Sequence, residues 1–323
     1  MTTRREFLRS SALIALATPR ARRFETQNLT GPTNQPTRDE LVSVLTEDGL
    51  IMTGLQVTPD RPASRSLAVI WFHGAGANFY VPSYVAIARA TASLGYPFIS
   101  ANTRMHDIGS ILVYEPAQIR GGSYWGLPSK EPLDVAAWVT HATERGYQDV
   151  VLVGHSAGGP AVRHYVAERG DARVVGLVLA SVGIDPSQAG TEDPERLKTA
   201  REMVASGRSR DFLPNLRISA ATYVDYADTS PEMRDFYGAK TPSPPITRVR
   251  CPLLAWFGSG EPEIGSAADL ERLRELIGRH PQGPARVDTR IVEGADHMYI
   301  GQETQIARIL TDWIGRLPAR VSR

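Results

Sequence analysis

Residues 150–162, VVLVGHSAGGPAV, constrain this chain more than any other stretch. Val150, Val151, Leu152 and Val153 form a short, continuously apolar run, as a buried strand does, and the run breaks at Gly154 into small residues on both sides of Ser156. A helix-compatible run, 161–168, follows. Gly154-His155-Ser156-Ala157-Gly158 fits GxSxG, a sharp strand-to-helix turn that forces the serine into a strained backbone conformation while the glycines let neighbouring backbone pass without a Cβ clash. The Ser156 hydroxyl is then expected to stand exposed above a sheet, as a candidate nucleophile.

The rest of the chain keeps alternating strands with helices. LVSVLT and LIMTGLQV, between residues 40 and 57, flank Glu47-Asp48-Gly49, which is a hairpin signal. Residues 67–72 are continuously apolar, as suits a strand covered on both faces. Further strands are expected at 97–102, 174–182, 252–257 and 286–292, and helices at 84–94, 134–145, 267–277 and 302–317. The glycine-, proline- and aromatic-rich segment 109–132 reads as a long surface loop near the strand ends. Charged helical runs at 192–205, 219–225 and 231–237 replace strands between 185 and 245. The pattern predicts an α/β core at 39–184 and 246–323 with a mostly parallel sheet flanked by helices, and a helical cap at 185–245 inserted between two core strands.

Composition removes several function classes. With Lys+Arg 36 against Asp+Glu 35 the formal charge is +1, so the chain lacks the broad basic field of a nucleic-acid binder. The single cysteine, Cys251, excludes an intrachain disulfide and any cysteine-built metal cluster. No apolar run approaches the roughly 20 residues of a membrane-spanning helix, so no integral membrane segment is expected. Thr3-Arg4-Arg5-Glu6-Phe7-Leu8-Arg9, followed by an apolar run at 12–17, resembles the twin-arginine export signal of bacteria. Residues 1–23 are accordingly read as such a signal, implying a periplasmic or secreted protein, or alternatively as a basic tail on a cytoplasmic one. Residues 24–38 read as a flexible lead-in, and the oligomeric state is left open.

A serine hydroxyl needs a base to take its proton and a carboxylate to hold that base. Later strand ends offer both, in Gly258-Ser259-Gly260-Glu261-Pro262-Glu263 and Gly294-Ala295-Asp296-His297-Met298-Tyr299. From about residue 40 onwards the chain resembles the α/β-hydrolases: HGAGAN at 73–78, GHSAGG at 154–159 and GADH at 294–297 match that family's oxyanion loop, nucleophile turn and catalytic histidine. More loosely, NTRMHD at 102–107, the GG-aromatic loop at 121–125 and DHMYIGQE at 296–303 are similar to uncharacterised bacterial hydrolases and fungal siderophore-esterase-like proteins.

The resemblance implies an α/β-hydrolase fold acting on a small-molecule acyl substrate, with no cofactor and no metal. Ser156 would be the nucleophile and His297 its base, with the backbone N–H groups of Ala75 and Ala157 as oxyanion hole. Glu261 stands where the family usually has aspartate, with Glu263 as its rival, and Asp296 is read as a turn former. His73 would orient the oxyanion loop, and His155 would pack or tune the pocket. Tyr124, Trp125, Tyr223, Tyr226, Phe236 and Tyr237 are candidates for an acyl pocket. The implied activity is hydrolysis of carboxylic esters or related acyl bonds. The alternatives are a cofactor-free acyltransferase and a non-catalytic ligand-binding protein of the same fold.

Overall fold

The structure, a computed structural model, describes residues 35–114, 117–184, 193–229, 235–238 and 241–318. The 1–23 signal or tail and most of the 24–38 lead-in lie outside the described residues. Strands β1 (Thr37–Leu45) and β2 (Leu50–Pro59) form the expected antiparallel hairpin, with Leu45 opposite Ile51. The turn closes on Gly49, whose φ of 86° is open to glycine, and on the Thr46 hydroxyl, which accepts the Leu50 N–H at 2.8 Å. β1 begins two residues inside the expected lead-in.

Six parallel strands form the centre of the sheet: β3 (Leu67–Phe72), β4 (Phe98–Ala101), β7 (Asp149–His155), β8 (Val174–Ala180), β9 (Leu253–Gly258) and β10 (Val287–Val292). Their order is β10-β9-β8-β7-β3-β4, and β2 continues it antiparallel beyond β4. Alternation along each strand divides the core into two layers. Ile70, Phe72, Leu152, Leu177 and Phe257 face one set of helices, α2 (Glu131–Glu144), α3 (Gly158–Arg169) and α6 (Ala267–Gly278). Val69, Trp71, Val153, Val178 and Trp256 face α1 (Pro82–Ser93) and α7 (Glu303–Ile314) on the other side. All six residues of β3 are fully buried. At roughly 1.5–3 kcal/mol for each large apolar side chain, this double burial makes β3 and β7 the rigid floor from which the site is built.

Segment 109–132 corrects the sequence reading. In place of a surface loop it contains a hairpin, β5 (Ser110–Tyr114) with β6 (Ala117–Gly121), which extends the sheet past β2. Hydrophobic alternation could not reveal it, because Ile111 and Val113 are 60% and 44% exposed while only Leu112 turns inward; ladder pairing, not a buried face, makes these strands. A 3-10 turn at Pro128–Lys130 then leads into α2.

The cap leaves β8 and returns to β9. Its helices α4 (Pro194–Ala205) and α5 (Ala220–Asp228) start at side-chain caps, Asp193 and Ser219, and pack around Ala200, Met203, Leu213 and Ala220. The cap docks on the segment after β6: Phe212 stacks on Trp125 with centroids 4.7 Å apart, the Trp125 indole N–H donates to Arg210 O at 2.9 Å, and the Ser219 N–H donates to Tyr124 O at 2.8 Å. Of the expected third run, 231–234 lies outside the described residues and 235–237 forms a turn. Phe236 and Tyr237 are buried in the sheet core, so they are packing residues rather than pocket walls.

Candidate active site

At the end of β7 the chain turns through Ser156 at φ 50°, a left-handed conformation that an L-residue enters only at a cost. The glycines around it have no room for a side chain. A Cβ on Gly154 would lie 2.6 Å from Gly158 O, and one on Gly158 would lie 2.5 Å from His73 O. Close approach of α3 to β7 and to the 73–78 loop thus fixes the turn. The Ser156 N–H is held by Ala180 O at 2.9 Å, which leaves the side chain partly exposed at the strand ends.

The 73–78 loop runs directly beside it: a Cβ on Gly74 would lie 3.1 Å from Ser156 Cβ and 3.5 Å from Ser156 Oγ. The amides of Gly74, Gly76 and Ala77 are committed. Gly74 N–H donates to Tyr84 Oη at 3.3 Å, Gly76 N–H to Ser123 Oγ at 3.1 Å, and Ala77 N–H to Gly74 O at 3.2 Å. Among the described residues neither Ala75 N–H nor Ala157 N–H has a hydrogen-bond partner. Unpaired amides beside an exposed serine are what an oxyanion requires.

His73 supports this loop from behind. Its Nε2 accepts the Thr103 N–H at 3.1 Å, so its proton sits on Nδ1 and is donated to Gly74 O at 2.9 Å. Burial lowers its pKa to about 4, which keeps it a neutral orienting group. Behind His73, Thr103 Oγ1 donates to the buried Glu131 at 2.8 Å.

Glu261 and His297 meet. Glu261 is fully buried, and its Oε2 accepts from His297 Nδ1 at 2.5 Å. Its Oε1 accepts the Gly258 N–H at 2.5 Å and the Ser181 hydroxyl. Glu263 is exposed and takes no part. The Glu261 carboxylate folds back onto the end of its own strand, so the extra methylene relative to aspartate is taken up inside the turn. Asp296 accepts the N–H groups of Met298 and Ile300, each at 3.0 Å, and so turns the chain as expected.

His155 joins the two halves. Its Nε2 lies 2.8 Å from His297 O, which can only accept, so Nε2 carries the proton; Nδ1, 2.7 Å from Tyr84 Oη, accepts the tyrosine proton. Burial, and then the neighbouring His297, holds its pKa well below the usual histidine range, so it remains neutral. The resulting line runs from Gly74 N–H through Tyr84 and His155 to the backbone of His297. Ser156 Oγ and His297 are not hydrogen-bonded to each other among the described residues; such contacts commonly tighten only when substrate arrives. Sequence reasoning missed the contacts of Tyr84, Ser181 and Tyr299; Tyr299 alone lies in a quoted stretch, DHMYIGQE at 296–303, and nothing in that stretch marks what its hydroxyl touches. Tyr124 and Trp125, candidates for a pocket, contact the cap, with Ser123 between them and the 73–78 loop. Among the described residues no group of three or more His, Cys, Asp or Glu could hold a metal, and no helix is long and apolar enough to cross a membrane.

This arrangement matches known proteins over most of the chain. DcsB, solved with a substrate analogue, superposes with a TM-score of 0.64 at 17% identity, covering 87% of this chain and 100% of that one. Est1E from Butyrivibrio proteoclasticus, solved with ferulic acid, gives 0.61 at 14% identity over 85% and 99%, and the alpha/beta hydrolase GrgF from Penicillium sp. sh18 gives 0.58 at 17% over 87% and 99%. A non-heme haloperoxidase of Rhodococcus erythropolis is 42% identical over 86 residues, which span 25% of this chain and 30% of that protein. The family model described as "Alpha/beta hydrolase family" matches residues 69–309, three quarters of the chain and the ends of all six parallel strands, and the chain belongs to that family.

Proposed function

We propose that this hydrolase cleaves carboxylic esters or related acyl bonds through an acyl-enzyme on Ser156. The observation that carries the reading is the pairing of buried Glu261 with part-buried His297, 2.5 Å between Oε2 and Nδ1, tied through His155 to the turn bearing Ser156. In the first half-reaction Ser156 Oγ attacks the acyl carbon while His297 Nε2 takes its proton. Glu261 fixes the tautomer with the proton on Nδ1 and stabilises the imidazolium that forms. The negative charge on the tetrahedral oxygen falls to the free N–H groups of Ala75 and Ala157, each such donor contributing about 3–4 kcal/mol to the barrier reduction. His297 then protonates the departing alcohol, and a water activated by the same histidine releases the acid and regenerates Ser156.

The test combines labelling with turnover. A fluorophosphonate should modify Ser156 alone, as read by peptide mass. Ser156→Ala should lose both the label and p-nitrophenyl ester turnover, the latter by up to ~10⁶-fold, with the fold unchanged. Wild-type turnover in Ser156→Ala would refute the reading.

A further inference from the structure

The described residues contain five non-glycine positions in the left-handed region, at φ between 50° and 62°. Three of them lie in one connected group: Ser156, Ser181 at 53° and Tyr299 at 59°. Tyrosine is a costly occupant of that region, and both Ser181 and Tyr299 are fully buried. Strain retained at two adjoining buried positions calls for an interaction that depends on it.

That interaction is a directed run of hydrogen bonds. The Trp256 indole nitrogen is a donor only, and it lies 3.1 Å from Tyr299 Oη. Tyr299 Oη therefore accepts from Trp256, and it lies 2.6 Å from Ser181 Oγ. Ser181 donates its one proton to Glu261 Oε1, so at the Tyr299 contact it can only accept, and Tyr299 is the donor there. The directions are fixed from the two ends, a carboxylate oxygen that accepts and an indole N–H that can only donate. With the Gly258 N–H, the run supplies two donors to Oε1 and leaves Oε2 to His297 alone. All the partners of Glu261 are thus donors, the complement of a carboxylate. The left-handed turn at Ser181 also sets its N–H on Trp256 O at 2.9 Å, one residue after Ala180 O takes the Ser156 N–H. The same corner of backbone thereby serves both nucleophile and acid.

We propose that Ser181 and Tyr299, anchored by Trp256, are positioning residues for the reaction: they hold the Glu261 carboxylate in the one orientation that presents Oε2 to His297. Glutamate has one more rotatable bond than the aspartate usual at this position, and the relay removes the freedom that bond adds. The inference rests on Glu261 being the acid partner of His297.

Ser181→Gly separates this role from a backbone one, since glycine adopts φ 53° without strain and so keeps the corner while deleting the hydroxyl. The relay predicts that Ser181→Gly and Ser181→Ala lower kcat alike, by about ten- to a hundredfold, the worth of one hydrogen bond to a charged group, with KM unchanged. Tyr299→Phe, which keeps the ring, should lower kcat less. The double variant Ser181→Gly/Tyr299→Phe should be no slower than Ser181→Gly, because both remove the same contact. Wild-type kcat in Ser181→Gly that melts at the wild-type temperature would overturn the proposal, as would multiplicative losses in the double variant. If Glu261→Gln itself left kcat unchanged, the acid assignment would fall, and the relay with it; a damaged Glu261→Gln beside an unharmed Ser181→Gly would remove the relay alone.

Discussion

On the acid side of the strand ends the polar atoms are saturated: Glu261 accepts from His297, Gly258 and Ser181, and Ser181 accepts in turn from Tyr299. On the side of the 73–78 loop, across the turn at Ser156, the amides of Ala75 and Ala157 are left without partners among the described residues while those of Gly74 and Gly76 are committed. In the proposed mechanism the two halves meet opposite needs. A charge that must already be in place when substrate arrives is best fixed by partners that are already paired. A charge that appears only in the transition state needs donors kept unpaired, although an unsatisfied donor costs about 1–3 kcal/mol where water is excluded. His155 and Tyr84 bridge the halves, so the open side takes its alignment from the closed one.

The largest expected effect comes from opening the saturated side. Glu261→Gln keeps the shape but places an amide against His297 Nδ1, favouring the wrong tautomer, and kcat should fall by ~10⁴-fold. Glu263→Gln, on an exposed side chain, should leave kcat near wild type. Steady-state rates on a p-nitrophenyl ester decide between them, and the reverse ranking would move the acid to Glu263.

This asymmetry also governs how much was legible in the sequence. The parallel sheet, the Ser156 turn and the His297 strand end follow from local pattern, because apolar runs and glycines at fixed spacing are statements about adjacent residues. Glu261 stands where the resemblance puts the acid, and of the two glutamates it is the one buried against His297. The relay could not be read, since Ser181 and Tyr299 meet across 118 positions and no local rule links a serine after one strand to a tyrosine after another. The β5–β6 hairpin was missed for a related reason: its stability comes from edge pairing with β2, which leaves no buried stripe in the sequence. The free amides of Ala75 and Ala157 were placed by resemblance alone, because an alanine carries no sign of what its N–H will do.

A smaller effect should follow from crowding the open side. A Cβ on Gly74 would stand 3.1 Å from Ser156 Cβ and 3.2 Å from His155 Nδ1, tighter than nine in ten such contacts, so in Gly74→Ala either those neighbours or the loop that carries Ala75 must give by a few tenths of an ångström, and the expectation is that the loop shifts. Losing one oxyanion donor costs on the order of 10²-fold in kcat, and Gly74→Ala should approach that with little change in melting temperature. Rates within error of wild type would mean that the loop yields without moving the Ala75 N–H, and that the two halves are less rigidly joined than the His155–Tyr84 line implies.

The smallest effect tests what holds the open side from behind. Glu131 lies buried at the start of α2, accepting from Thr103 Oγ1, with Asp134, Arg104 and Asp225 as its charged neighbours. Burial, against the hydrogen bond from Thr103, raises its pKa from 4.5 to about 8. Between those two pH values the folded chain keeps a proton that the unfolded chain has released. Its contribution to stability is therefore complete below 4.5 and is lost as pH rises through about 8. Glu131→Gln keeps a carbonyl acceptor for Thr103 and cannot titrate. His73, lowered to about 4, acts in the opposite sense below its unfolded value, but it is common to both proteins and cancels in the difference. The melting temperature of Glu131→Gln minus that of wild type should rise between pH 5 and pH 8.5, by on the order of a few °C. Parallel melting curves across that range would mean that Glu131 is already ionised in the folded protein, so that the His73 and Thr103 support of the oxyanion loop ends on a charge rather than on a neutral acid.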